Sequence, residues 1–235
     1  MKILKSSSLL PDVMWQNPSL DRVANARQET WTGLKSNLAS LDINPNSTNI
    51  YIRCFKLEEI VELWVKDSNK RTFRLLSTYP FCVNSGILGP KRKEGDKQIP
   101  EGVYHITRFN PKSLFHLSLG LNYPNAADLT RADDIAPGSD IFLHGKCSST
   151  GYIAVGDKAI QELYTIASVA KNHLIRVDIY PYKFNSERQI DIEIALMNQN
   201  FWTNLKTVYQ DFENTREISG IDISESGEYI VNRGQ

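Results

Sequence analysis

Asp140-Ile-Phe-Leu-His144-Gly145-Lys-Cys147-Ser-Ser149-Thr-Gly151-Tyr152-Ile-Ala154-Val-Gly-Asp157 is the most informative stretch of this chain. Ile141 to His144 reads as a short apolar strand that delivers a histidine at its end. A loop of small polar residues follows, then Gly151 and a helix start near Asp157. That order suits an exposed reactive site. The strand fixes the imidazole, the small residues let backbone N–H groups approach a bound carbonyl, and Gly151 permits a sharp turn that aims the next side chain, Tyr152, into the site.

Strands dominate upstream of this segment. Ile50 to Phe55 and Ile60 to Val65 are rich in β-branched and aromatic residues, and Thr72 to Ser77 alternates imperfectly. The turn chemistry of Asp67-Ser-Asn-Lys70 predicts an antiparallel hairpin between the last two. Gly86 to Gly102 is dense in Gly, Pro and charge and reads as a long surface loop, a kind that is often functional. Val103 to Thr107 resumes a strand, and Phe115 to Leu121 alternates until Asn122-Tyr-Pro-Asn125 breaks it.

Helices flank the strands. Val23, Trp31, Leu34, Leu38 and Leu41 recur at helical spacing, which predicts a helix from Ser19 to Leu41 with Ser19 as N-cap. Asp157 to Ala170 is helical by the same test, and Leu174 to Tyr180 is an alternating strand. The tail from Ser186 to Glu213 reads as helix, with Ile190, Ile194, Phe201, Trp202, Leu205 and Tyr209 packing inward. The fold class is therefore α+β: a β-sandwich or barrel-like core with an N-terminal helix and C-terminal helices. The expected division is a helical segment at 1–45, the main domain at 46–185 and a helical extension at 186–235 that packs on it.

Composition narrows the function classes. Lys plus Arg and Asp plus Glu balance at 27 each over 235 residues, so the basic surplus of a nucleic-acid binder is missing. The three cysteines, Cys54, Cys82 and Cys147, do not form a disulfide framework, although one bridge with one free thiol is open. No cysteine pair has metal-finger spacing and the histidines are scattered, so no metal or other cofactor is expected. The apolar run Ser8-Leu-Leu-Pro11 is too short for a secretory signal core, and no stretch is long enough to span a membrane. The chain either works in the cytoplasm or has lost an export signal.

The segment around His144 resembles the L,D-transpeptidase (YkuD-type) family, in its YafK branch, whose pattern is His-Gly-x-Cys-x-Ser-x-Gly-Cys followed by a small apolar stretch and an Asp. The match falls on His144, Gly145, Cys147, Ser149, Gly151, Ala154 and Asp157. It extends upstream through Cys82 to Gly86, Leu88 to Lys91, Glu94 to Asp96 and Pro100 to Gly102. It continues through Phe109 to Pro111, Leu117 to Leu119 and Asn122 to Asn125, and reaches Phe201, Trp202 and Leu205 in the tail.

The resemblance implies a peptidoglycan-directed cysteine acyl-transfer site. A thiolate attacks a stem-peptide carbonyl near diaminopimelate, the histidine moves the proton, and backbone N–H groups near the Ser-x-Gly turn hold the oxyanion. It also implies a periplasmic or cell-envelope location, and a peptidoglycan stem peptide or a peptidoglycan-attached protein as partner. The departure is at the nucleophile, where this chain has Tyr152. A phenol is almost wholly protonated at neutral pH, so ordinary acyl transfer there is expected to be lost or reduced. The alternative is a pseudoenzyme that binds stem peptide or a protein partner without covalent chemistry.

Each candidate also has a plain reading. His144 is the catalytic base, or a strand-end histidine with a structural bond. Tyr152 is a plug, a binding residue, or a nucleophile in other chemistry. Cys147 is a substitute nucleophile, a structural thiol, a partner for Cys82 or a substrate contact, and a bridge would imply an oxidising compartment. Lys91 and Arg92 form a carboxylate clamp or belong to a solvated loop. His116 and Tyr123 line the site, or are a core histidine and a turn tyrosine.

Overall fold

The computed structural model describes residues 18–133 and 136–233. The opening residues, Ser8 to Pro11 among them, lie outside the described residues. Helix α1 spans Pro18–Ser40, so Ser19 sits inside the helix and not at its cap.

The strands are β1 (Thr48–Phe55), β2 (Ile60–Asp67), β3 (Arg74–Pro80), β4 (Gly102–Asn110), β5 (Ser118–Leu121), β6 (Phe142–His144), β7 (Ile153–Ala154) and β8 (Arg176–Tyr180). They form one curled, half-barrel sheet in the order β3-β2-β1-β8-β4-β5-β6-β7. The predicted hairpin is present as the antiparallel pair β2–β3, with a register shift at Leu63/Trp64. Strand β8 returns from the far end of the chain to lie parallel to β1 and antiparallel to β4. It thereby joins the β1–β3 meander to the β4–β7 half that holds His144 and Tyr152's neighbours Ile153 and Ala154.

Strand β1 is buried on both sides, which explains why its sequence is almost continuously apolar or aromatic. Ile50, Ile52 and Cys54 share a core with Leu34 and Leu38 of α1 and with Ile160, Leu163 and Ile166 of α3 (Asp157–Val169). Phe55 joins Tyr180 and the Leu205, Val208 and Tyr209 stripe of α5 (Gln199–Thr215), while Tyr51 packs on Phe212 of the same helix. Between these rings Arg53 is 1% exposed, pairs with Glu213 at 2.6 Å and lies 4.8 Å from the centroid of Tyr209. Cation–π contact and the ion pair together offset its desolvation.

The tail differs from the single helix expected between Ser186 and Glu213. Helix α4 (Ile192–Met197) ends at Asn198, and α5 starts from the same residue. The Asn198 Nδ2 donates to the Ile194 carbonyl at 2.9 Å, which closes α4 with a side chain while the apolar spacing runs on. After α5 the chain forms a separate hairpin of β9 (Gly220–Ile223) and β10 (Tyr229–Asn232). Gly227, at φ +79°, supplies its turn. This hairpin corrects the wholly helical reading of the C-terminal extension. Its strands are short and half-polar, and they gain stability by packing Tyr229 against α5 rather than from their own pattern.

Candidate active site

One face of the β4–β5–β6 strands carries the candidate site. Register places Asn110 opposite Ser118 and Ser118 opposite His144, so three polar residues stand in a row across three strands. The neighbouring positions of β5 and β6 on the other face, Leu119 and Leu143, are fully buried core. Gly145 N–H donates to the Leu117 carbonyl at 3.2 Å, so Ser118 and His144 form the non-hydrogen-bonded pair of the ladder, the type in which facing side chains come closest. A cavity of about 250 Å³ opens on this row, walled by Phe115, Phe142 and Tyr152, with Lys112 and Leu114 at its mouth.

His144 is 1% exposed. Its Nδ1 lies 2.6 Å from the Gly145 carbonyl oxygen, a distance that makes Nδ1–H the donor and assigns the proton to that nitrogen. Nε2 then carries a lone pair, and it is buried without a partner among the described residues. Burial holds the imidazole below the usual histidine range, partly opposed by the bond to Gly145. The ring is therefore neutral at neutral pH, with a bare acceptor on a residue that lines the cavity. Leaving a buried acceptor unmade costs about 1–3 kcal/mol; among the described residues His116 Nε2 is in the same state, but only His144 lines the cavity.

The turn after His144 is built to hold its shape. A Cβ at Gly145 would stand 2.7 Å from Asp157 Oδ1 and 2.8 Å from the Phe115 carbonyl, so only glycine fits there. Lys146 N–H donates to Asp157 Oδ1 at 2.7 Å, tying the turn to the first turn of α3. Ser149 clips the far side: its hydroxyl donates to the Tyr152 carbonyl at 2.7 Å and accepts Tyr152 N–H at 3.0 Å. Gly151, at φ +87°, donates its N–H to Ser85 Oγ at 2.7 Å. The backbone N–H groups of Gly151 and Tyr152, at the Ser-x-Gly turn, are thus engaged within the protein. Cys147 is bonded to Cys82, Cα to Cα 5.1 Å, which pins the turn to the segment before the Gly86–Gly102 loop. That pairing agrees with the structural role weighed for Cys147.

The loop is anchored from beneath by a charge pair that sequence reading passed over. Lys56 is 1% exposed and donates to the carbonyls of Gly89 and Ile99 and to Glu101 Oε1, all within 2.9 Å. Glu101 also accepts from Gly89 N–H and from Trp202 Nε1 at 2.7 Å each. Every ammonium proton has a partner, so this buried pair is fully satisfied.

The remaining candidates do not line the cavity. Lys91 is buried, and its ammonium is committed to Asp96 Oδ1 at 2.5 Å and to the Lys93 carbonyl. It closes its own loop and is not free to clamp a carboxylate. Arg92 lies in a different depression beside Arg131 and the start of α5. Tyr123 is a turn residue whose hydroxyl donates to the Pro137 carbonyl at 2.7 Å. His116, at φ +71°, offers its carbonyl to Arg22 of α1 at 3.1 Å. Cys147 is consumed by its disulfide. Conversely, Asn110, Lys112, Phe115, Ser118 and Phe142 do line it and were not singled out. The sequence held two signals: Asn110 and Ser118 fall in stretches that match the family, and Ser118 is a serine between two leucines of a buried strand. Among the described residues no group of His, Cys, Asp or Glu is arranged to hold a metal ion.

The YkuD family model, described as the L,D-transpeptidase catalytic domain, matches residues 50–179. YafK of Escherichia coli is 31% identical over 189 residues, 78% of this chain and 74% of YafK. Among solved structures, the helical cell shape determining protein Pgp2 of Campylobacter jejuni aligns with a TM-score of 0.46 at 17% identity, covering 82% of this chain and 80% of that one. Bd1075 of Bdellovibrio bacteriovorus aligns with a TM-score of 0.42 at 21% identity, covering 71% of this chain and 59% of that one.

Proposed function

This chain belongs to the L,D-transpeptidase catalytic-domain family, YkuD, and from that membership we propose that it binds diaminopimelate-containing stem peptides of peptidoglycan, with cysteine acyl transfer lost or strongly reduced. One observation carries the reading. The Tyr152 ring borders the same cavity as the bare Nε2 of His144, in the position where the family resemblance puts a thiol.

No other sulfur can take over. Of the three cysteines in the chain, Cys82 and Cys147 are bonded to each other and Cys54 is buried in the core. Burial pushes the Cys54 thiol up, far from the thiolate an attack needs. The Tyr152 ring meets the His144 imidazole edge to face, centroids 5.9 Å apart, and no hydrogen bond joins the two side chains among the described residues. Removing the nucleophile of a catalytic unit costs about a million-fold in a serine protease, and an imidazole alone does not replace that loss. What the site retains is a concave, aromatic-walled cavity with a polar floor, which is the form of a binding site. The disulfide suits an oxidising compartment such as the cell envelope. No helix among the described residues is long and apolar enough to cross a membrane.

The test is to incubate the protein with diaminopimelate-containing muropeptides, measuring binding by calorimetry and adducts by intact mass. Binding without adduct or turnover is the expected result. In Tyr152→Cys the thiol would sit beside His144 Nε2, and an acyl adduct is expected that vanishes in the Tyr152→Cys, His144→Ala double variant. Turnover by the wild type that disappears in His144→Ala overturns the loss of catalysis. Absence of any binding overturns the function.

A further inference from the structure

We propose that the groove between the β4–β8 part of the sheet and the C-terminal hairpin docks an extended, acidic segment of a partner protein. The segment adds as a strand to the open edge of β9 and directs its carboxylates to Lys66 and Lys70. This surface shares no residue with the cavity of His144 and Tyr152, so the inference does not rest on the stem-peptide reading.

The hairpin has one closed edge and one open edge. Ser224 N–H donates to the Glu228 carbonyl at 2.9 Å. Given the register, Asp222 with Ile230 and Gly220 with Asn232 are then the hydrogen-bonded pairs of the ladder. The backbone groups of Tyr229 therefore point out of β10, and Asn204 of α5 takes both. Its amide donates to the Tyr229 carbonyl at 3.0 Å and accepts the Tyr229 N–H at 2.8 Å. The backbone groups of Ile221 and Ile223 point out of β9 on the other side. Among the described residues β9 pairs with β10 alone, so these N–H and C=O groups are open to another strand.

Two depressions, of about 330 and 530 Å³, adjoin the hairpin and meet at Leu174, Arg176 and Ile218. The smaller is walled by Val103 and His105 of β4 and by Ile221 and Ile223 of β9. Leu174 stands 57% exposed where the two meet, an apolar contact ready for every second side chain of an added strand. The larger depression, beside Glu217 and Ile218 at the start of the hairpin, is basic. Arg71 pairs with Glu217 and Arg176 with Asp178. Lys66 and Lys70 make no ion pair among the described residues, and Glu217 is the one acid on the wall. In an antiparallel ladder the added strand runs its C-terminal end past Ile218 to these lysines, which calls for carboxylates there. The β4 residues facing the hairpin leave width for one strand, not for a second copy of the chain bringing its own hairpin and sheet.

The experiment titrates two synthetic peptides into the full chain by calorimetry. Both alternate valine and threonine; one ends in two aspartates and the other in two lysines. The aspartate peptide is expected to bind about tenfold tighter, the scale of two surface ion pairs. That preference is expected to vanish in the Lys66→Gln, Lys70→Gln double variant. Binding is expected to slow amide exchange at Ile221 and Ile223 by about tenfold. It should be lost in Ile223→Pro, which removes an outward N–H and leaves the bonds to β10 in place. The exchange measurement uses the wild type and stands even if that variant misfolds. Four results overturn the proposal: no binding of the aspartate peptide, equal affinity for both peptides, a preference that persists in the double variant, or binding without protection of Ile221 and Ile223. A wild-type dimer in light scattering that Ile223→Pro dissociates overturns the partner protein in favour of a second copy.

Discussion

The ring of Tyr152 stands edge-on to the imidazole of His144, centroids 5.9 Å apart and planes at 80°. It meets Phe142 in the same way, at 6.1 Å and 72°. Such T-shaped contacts are favourable for the ring itself, so Tyr152 is held by its aromatic body and not by its hydroxyl. Tyr152→Phe is therefore expected to bind muropeptide as the wild type does, within about twofold, since no hydrogen bond is lost. If the wild type shows slow turnover that Tyr152→Phe abolishes, the phenol is a nucleophile after all.

The buried imidazole makes a signed prediction for pH. Folding lowers the His144 pKa from its ordinary 6.5. Below about pH 6.5 the unfolded chain takes up the proton first, so this group's contribution to stability is intact above that value. It declines as pH falls towards the folded-state pKa. Asp128 works the other way, because burial pushes its carboxyl up to about 6, which favours the folded state as pH falls through that value. Urea midpoints of wild type and His144→Gln between pH 7.5 and 5 separate the two. The wild type should lose more stability over this range than the variant, and parallel curves would contradict a buried neutral His144.

The bond between Cys82 and Cys147 joins residues 65 apart in sequence. In the chain-entropy account, closing a loop of that length is worth about 4 kcal/mol. Cys82→Ser, or the wild type under reductant, is expected to show a lower urea midpoint by that order. The turn that presents Tyr152 should also exchange its amide protons faster. Identical midpoints with and without reductant would show that the bridge contributes nothing to the fold.

Lys56 and Glu101 predict a large effect far from the cavity. Lys56→Met leaves Glu101 buried at 0% exposure with an uncompensated charge, a change that costs about 3–5 kcal/mol. Thermal unfolding should shift down accordingly. Limited proteolysis should find the Gly86–Gly102 loop, whose Gly89 and Ile99 carbonyls lose their donor. A variant with unchanged thermal stability and an uncut loop would refute the anchoring role.

Local pattern in the sequence carried a good part of this structure. The apolar run and turn residues of Ile60 to Ser77 were enough for the β2–β3 hairpin, because both strands are neighbours in sequence and a short turn sets their register. The Asp157 helix and the strand ending at His144 were legible for the same reason. The resemblance at His144, Cys147, Ser149 and Gly151 pointed to the segment that borders the cavity of His144 and Tyr152.

Tertiary structure alone decided what surrounds His144. Ser118 and Asn110 reach it only through the pairing of β4, β5 and β6, and a shift of one residue would turn both to the opposite face. The fate of the charges was equally closed to sequence reading. Lys91 looks free among Lys and Arg neighbours until the loop folds Asp96 onto it, and Lys56 looks like a surface residue until Glu101 and Trp202 arrive from distant segments. Burial of a charge depends on partners that long-range contacts supply, whereas a turn or a short strand is written in adjacent residues.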